Sequence, residues 1–167
     1  MKFADGFLAE MDYEMPNTRK YLEIVPEDKF DFTPHEKSGK LLWLASHIAD
    51  LPKFATRIVE ADEYDLKAAP PRPPLPSSVA EMLEKFDRNV AEARQALEGA
   101  SDEFLAATWR LRAGEMVLFE LPRGLCLRVM TFNHMIHHRA QLQVYLRLLD
   151  VPLPSLYGPT ADAPRKM

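Results

Sequence analysis

Five prolines fall within nine residues in Ala68-Ala69-Pro70-Pro71-Arg72-Pro73-Pro74-Leu75-Pro76, and this stretch limits the topology more than any other. Proline fixes φ and lacks an amide donor, so the segment favours extended polyproline II at roughly 3.1 Å per residue. It follows a helical pattern over residues 40–61, which would be about 30 Å long. A largely extended segment 62–76 can run back along all of that helix. The next helix then starts at the same end and lies parallel to it, whereas short loops force antiparallel neighbours. A spacer accounts for this composition more simply than a recognition motif for a proline-binding domain.

The flanking patterns are helical. Leu44, Ile48, Leu51, Ala55 and Ile58 form the apolar stripe of residues 40–61, with His47 on its edge. Residues 77–99 carry the clearest helix: Ser78-Val79-Ala80-Glu81 has capping-box spacing, Phe86, Val90, Ala93 and Leu97 continue its stripe, and Gly99 is a natural stop. Phe3, Phe7, Met11, Met15 and Leu22 line one face of residues 2–24, where Pro16 predicts a kink or a second segment. Residues 27–39 are turn-rich, and His35 reads as a solvated loop histidine. Ser101 opens a short helical turn. Residues 107–119, around Ala113-Gly114, leave room for a short β-hairpin before a last helix over residues 122–149.

A chain of 167 residues is expected to be one domain, 1–167, with a substantial core. A formal net charge of −4 argues against nucleic acid as a partner. No apolar run approaches the roughly 20 residues needed to span a bilayer. The first residues lack a signal peptide's apolar core, which predicts a cytoplasmic protein. The single cysteine, Cys126, excludes an intrachain disulfide and reads as a packing residue in a reducing compartment.

Three of the five histidines lie between positions 134 and 138. At about 100° per residue, His134 and His138 stand one turn and about 40° apart. Leu127, Met130, Gln141, Tyr145 and Leu148 fall within about 40° of His134, which predicts that the histidines point inward. Two inward imidazoles without an ion would strand polar nitrogens at about 1–3 kcal/mol each, and one shared metal would satisfy both. His137, at about −60°, is the alternative partner that angles alone leave open. His47 reads either as a hydrogen-bonded core histidine or as a ligand. Arg139, about 140° from His134, is expected to face outward.

The chain resembles the DinB/YfiT-like superfamily of metal-dependent proteins. The resemblance rests on Leu44-Ala45-Ser46-His47-Ile48, on Phe132-Asn133-His134-Met135-Ile136-His137-His138-Arg139-Ala140-Gln141-Leu142, on Val144-Tyr145-Leu146-Arg147, and on the tail from Val151 to Asp162. Ala140 and Ala163 depart from the common pattern of glycine and glutamate. The resemblance implies an all-α, up-down-down-up four-helix bundle, whose parallel second and third helices agree with the proline-rich connection. It implies a divalent metal on His47, His134 and His138. Three neutral imidazoles leave a coordination position open, as in catalytic sites, and Zn²⁺ or Ni²⁺ suits them best. His137, Gln141 and Tyr145 are the candidates for supporting those ligands or contacting substrate. Relatives include thiol-dependent S-transferases and a maleylpyruvate isomerase. The resemblance therefore implies a metal-dependent transferase or hydrolase that activates a low-molecular-weight thiol or water toward a small electrophile, in a homodimer. The rival reading is a non-enzymatic metal-binding stress-response protein.

Overall fold

Apolar side chains spaced three and four apart build the long helices of the computed structural model, which describes residues 2–164. α1 (Phe3–Glu23) buries Phe7, Met11, Met15 and Leu22, the face predicted for it. It runs unbroken through Pro16, so the expected interruption is corrected. One lost backbone donor is outweighed there by burial of Met15 and Thr18 on the following turn.

Pro52 does what Pro16 does not. The helix expected over residues 40–61 is two helices, α2 (Leu41–Asp50) and α3 (Lys53–Glu60). Proline at 52 has no amide to give to the Ile48 carbonyl, and the Leu51 amide bonds that carbonyl instead at 3.2 Å. α4 (Val79–Leu97) starts as its capping signal predicts: the Glu81 amide donates to Ser78 Oγ at 3.1 Å. The Glu81 carboxylate in turn accepts from the Ser77 amide at 2.8 Å.

α2 and α4 start against one loop. The amides of Leu41 and Leu42 donate to the Phe32 and Phe30 carbonyls at 2.9 and 3.1 Å, and the Val79 amide donates to the Glu27 carboxylate at 2.6 Å. The intervening chain must therefore return from the end of α3 to that loop. α1 packs on α4, with Arg19–Asp87 and Arg94–Asp12 ion pairs at 2.9 and 2.5 Å between them.

The fold is rich in helix but not all-α, which corrects the expected class. After α5 (Asp102–Ala106), β2 (Thr108–Ala113) and β3 (Met116–Pro122) form the anticipated hairpin. Gly114 takes φ +65° at its turn. An unanticipated β1 (Glu63–Asp65) pairs in parallel with β2, completing a three-stranded sheet of order β1-β2-β3. Arg123 locks this corner. Its buried guanidinium donates to the Thr108 and Ala61 carbonyls and to Asp62, and lies over the Phe104 ring.

The last helical stretch is not one continuous α-helix. α6 (Arg123–Leu127) passes through a π-helical segment, Arg128–Asn133, into α7 (His134–Leu148). α7 packs on α2 on one side and on α1 on another. The tail folds back over α1, where the Tyr21 hydroxyl donates to the Pro154 carbonyl at 2.8 Å. No helix among the described residues is long and apolar enough to cross a membrane.

Candidate metal centre

Three imidazoles converge between α2 and α7. The Nε2 atoms of His47 and His134 stand 3.3 Å apart. His138 completes the group, with one ring nitrogen from each of the three within 4.8 Å of the others. The ring centroids lie 4.7 to 5.0 Å apart. No carboxylate or thiol joins this group among the described residues.

Each ring has its own neighbour in the chain. The indole of Trp43, one turn before His47 on α2, stacks on the His47 ring at 5.2 Å and 12°. Gly39 gives that indole room, because a Cβ there would meet a Trp43 ring carbon at 2.9 Å. The Met130 carbonyl, in the π segment one turn before His134, favours a proton on the His134 ring against the effect of burial. His138 Nδ1 lies 2.7 Å from Gln141 Oε1, and as donor to that oxygen it leaves Nε2 free toward the cluster. Fixing one ring nitrogen in this way orients the other as a ligand.

The same surroundings keep the rings neutral. Burial is the first cause that lowers the His47 pKa, to about 4, with the charges of His138, His134 and Arg72 adding to it. Burial also lowers the pKa of His134 and of His138. Near pH 7 all three present lone pairs rather than competing protons.

The helical wheel places this group only in part. The histidines do not point into the core: His134 and His138 are half-buried, whereas Met135, Arg139, Leu142, Tyr145 and Leu146 are the buried residues of α7. Those five centre about 90° from His134, so the cluster occupies the stripe's edge. Gln141 and Leu148 are exposed. His137 is exposed as well, with its ring 4.9 Å from that of His138 and outside the group of three. The Tyr145 hydroxyl donates to the Gly39 carbonyl at 3.0 Å, tying α7 to the turn before α2.

Arg139 reverses its expectation. It is 1% exposed and pairs with Glu14 at 2.7 Å, while also donating to Thr18 Oγ1 at 2.9 Å and to the Tyr157 hydroxyl at 2.6 Å. The wheel reading assumed one buried side, and α7 is covered on two. Trp43 and Met130 were missed as supports of the site. Trp43 had a signal in its spacing of four from His47; a backbone carbonyl has none. Cys126 is buried on α6 with its thiol pKa raised by burial, as a packing residue would be. Two clefts of about 760 and 300 Å³ lie elsewhere and are lined by none of the three histidines.

Comparisons with known proteins agree on the family. The sequence profile of the DinB superfamily matches residues 11–142, a span that includes all three histidines. A DinB-like protein of Bacillus cereus is 22% identical and superposes with a TM-score of 0.68, over 92% of this chain and 97% of the other. A DinB-like protein of Bacillus subtilis is 15% identical with a TM-score of 0.67, over 95% and 98% of the two chains. At these identities the two structures establish a shared fold. No curated protein matches the sequence.

Proposed function

This chain belongs to the DinB superfamily, and from that premise we propose that His47, His134 and His138 bind one divalent metal ion in a metal-dependent enzyme. The observation that carries the proposal is the 3.3 Å separation of two Nε2 atoms on different helices. Two nitrogens bound to one tetrahedral ion at about 2.0–2.1 Å stand roughly 3.3–3.4 Å apart. The donor set agrees with it: three neutral imidazoles suit Zn²⁺ or Ni²⁺ among first-row ions. The up-down-down-up order of a four-helix bundle belongs to the same proposal. It is supported by α2 and α4 starting against one loop.

When bound, such an ion lowers the pKa of a coordinated water or thiol and makes it nucleophilic near neutrality. The chain's own residues do the rest. Gln141 holds the His138 ring in its ligating orientation, and Trp43 walls the His47 ring. His137, exposed beside His138, is positioned to accept the proton released by the incoming thiol or water. A low-molecular-weight thiol attacking a small electrophile is the reaction this arrangement suits, with hydrolysis as the water-dependent version. Exposed Val144 and Leu148 on α7 (59% and 58%) support pairing of two copies. The unpaired Cys126 supports a cytoplasmic setting.

Metal analysis of the purified protein tests the site. Wild type is expected to hold about one equivalent, with loss of metal in His47→Ala, His134→Ala and His138→Ala. Metal content unchanged in His134→Ala overturns the assignment. Turnover of an electrophile that depends on both metal and added thiol, and fails in the same variants, tests the enzymatic reading.

A further inference from the structure

The larger of the two clefts, about 760 Å³, opens at the start of α1. Three helices meet there. Phe3 and Phe7 come from α1, Leu105 from α5, and Leu125 from α6, with Arg128 just beyond it. The volume falls within the roughly 300–1,000 Å³ of small-molecule sites.

The walls are aromatic, and part of them faces solvent. Phe3 meets Phe7 edge-on at 5.0 Å and 80°, and Phe7 stacks on Phe132 at 5.4 Å and 18°. Phe7 and Phe132 are buried, whereas Phe3 and Leu125 stay 53% and 44% exposed. Gly124 seats the outermost ring, because a Cβ on that buried backbone would run into Phe3. The fold thus holds an apolar ring in place at the mouth of a cleft rather than packing it inside. Apolar surface kept open around a concavity marks a binding site more often than chance exposure does.

The charges of the rim select the class of ligand. Arg128 donates through Nη1 to both Glu10 carboxylate oxygens at 2.6 Å, and its guanidinium lies 5.2 and 5.3 Å from the Phe7 and Phe132 ring centroids. Asp102, on the lining, accepts from the Phe3 amide at 2.7 Å. Lys2 is the other cation of the lining. Two cations therefore stand against two carboxylates, and neither sign is in excess. An added carboxylate would come beside Glu10 and Asp102, and an added ammonium beside Lys2 and Arg128. We propose that this cleft binds an uncharged aromatic molecule, whose ring continues the edge-to-face and stacked series of Phe3, Phe7 and Phe132. The site is separate from the three histidines and does not require a metal.

The test titrates the full, metal-free chain in EDTA with 2-naphthylmethanol by calorimetry, so that no ion at the histidines contributes. Wild type is expected to bind one equivalent with a Kd on the order of 100 μM, and 2-naphthoate about tenfold more weakly. Phe3 and Leu125 are exposed, so Phe3→Ala and Leu125→Asp are expected to fold, with circular dichroism as the check. Each should lose about tenfold in affinity for the alcohol, the first by removing a wall and the second by placing a charge at the mouth. Absence of binding by wild type, or equal affinities in wild type and both variants, overturns the site. Naphthoate binding as tightly as the alcohol overturns the uncharged class. Sedimentation of the same samples adds a further outcome: if Leu125→Asp turns a dimer into monomers while its affinity stays at the wild-type value, the cleft belongs to a second copy and the proposal falls.

Discussion

α7 presents polar side chains to two neighbours, and the two sides are built on opposite terms. Toward α1 and the tail, Arg139 is sealed from solvent and its partners are Glu14, Thr18 and Tyr157. Toward α2, His134 and His138 are half-buried, and their facing nitrogens meet other nitrogens. The first side closes its hydrogen bonds within the chain. The second gathers one ring nitrogen from each of three histidines, of which the His47 and His134 pair can share one proton at 3.3 Å and His138 adds a third nitrogen. Oppositely charged groups that satisfy one another hold a structure, whereas three like nitrogen donors converging within one ion's reach suit a ligand.

The largest effect should come from breaking the closed side. Arg139→Ala leaves the Glu14 carboxylate buried without its partner, which costs about 3–5 kcal/mol. Urea denaturation is expected to show that loss, and the folded fraction is expected to bind metal like wild type. Replacing both partners, as in Glu14→Gln with Arg139→Met, should cost less than the single change. If the single variant lost metal binding without losing stability, the division between the two sides would collapse.

Substitution on the open side should give the converse. His134→Ala is expected to change metal-free stability by less than about 1 kcal/mol, since the half-buried ring packs loosely against solvent. It should also abolish the stabilisation by metal, which in wild type amounts to about 2.7 kcal/mol at a hundredfold excess over Kd. Thermal melts with and without Zn²⁺ check both halves. A variant that Zn²⁺ still stabilises would move the site elsewhere.

How far these two sides could be read in advance differs for physical reasons. His134 and His138 were legible because a spacing of four is local geometry. His47, 87 residues before His134, was singled out through the family resemblance, because no local rule joins distant helices. Arg139 was misread because a wheel reports angles and not the number of neighbours. The π segment has no residue signature. It adds about one residue to a turn, which shifts everything after it relative to Leu127. β1 spans three residues, Glu63–Asp65, too few for alternation to register. Pro52 is different: its signal stood in the sequence, but the apolar stripe of residues 40–61 runs through it and alone predicts one helix.

The support behind each ring should matter less than the ring itself. Gln141→Leu removes the acceptor that orients His138 and is expected to weaken metal affinity by 10- to 100-fold, about 1.4–2.7 kcal/mol. Trp43 supplies the readout, because its indole stacks on His47 and Ni²⁺ arriving at the ring should quench its emission. Titrating Ni²⁺ into wild type and Gln141→Leu compares the two affinities directly. An unchanged midpoint would reduce Gln141 to an exposed side chain beside the site.

Acid should separate the two sides by the smallest margin. The folded pKa of His47 is lowered to about 4, below the roughly 6.5 of an unfolded histidine. Between those values the unfolded chain binds the extra proton, so stability rises with pH across that window. His47 therefore imposes no penalty above about pH 6.5, and stability is lost as pH falls toward 4. Because the ring is half-buried, solvent screening holds the change to on the order of 1 kcal/mol. His134 and His138 shift in the same direction and add to it. Metal-free wild type should thus lose urea resistance between pH 7 and 4.5 more steeply than His47→Gln, which has no proton to take up. Parallel pH profiles would mean that His47 gains a proton as readily in the folded protein as in the unfolded chain. The surroundings of the open side would then do nothing to hold that ring unprotonated below about pH 6.5.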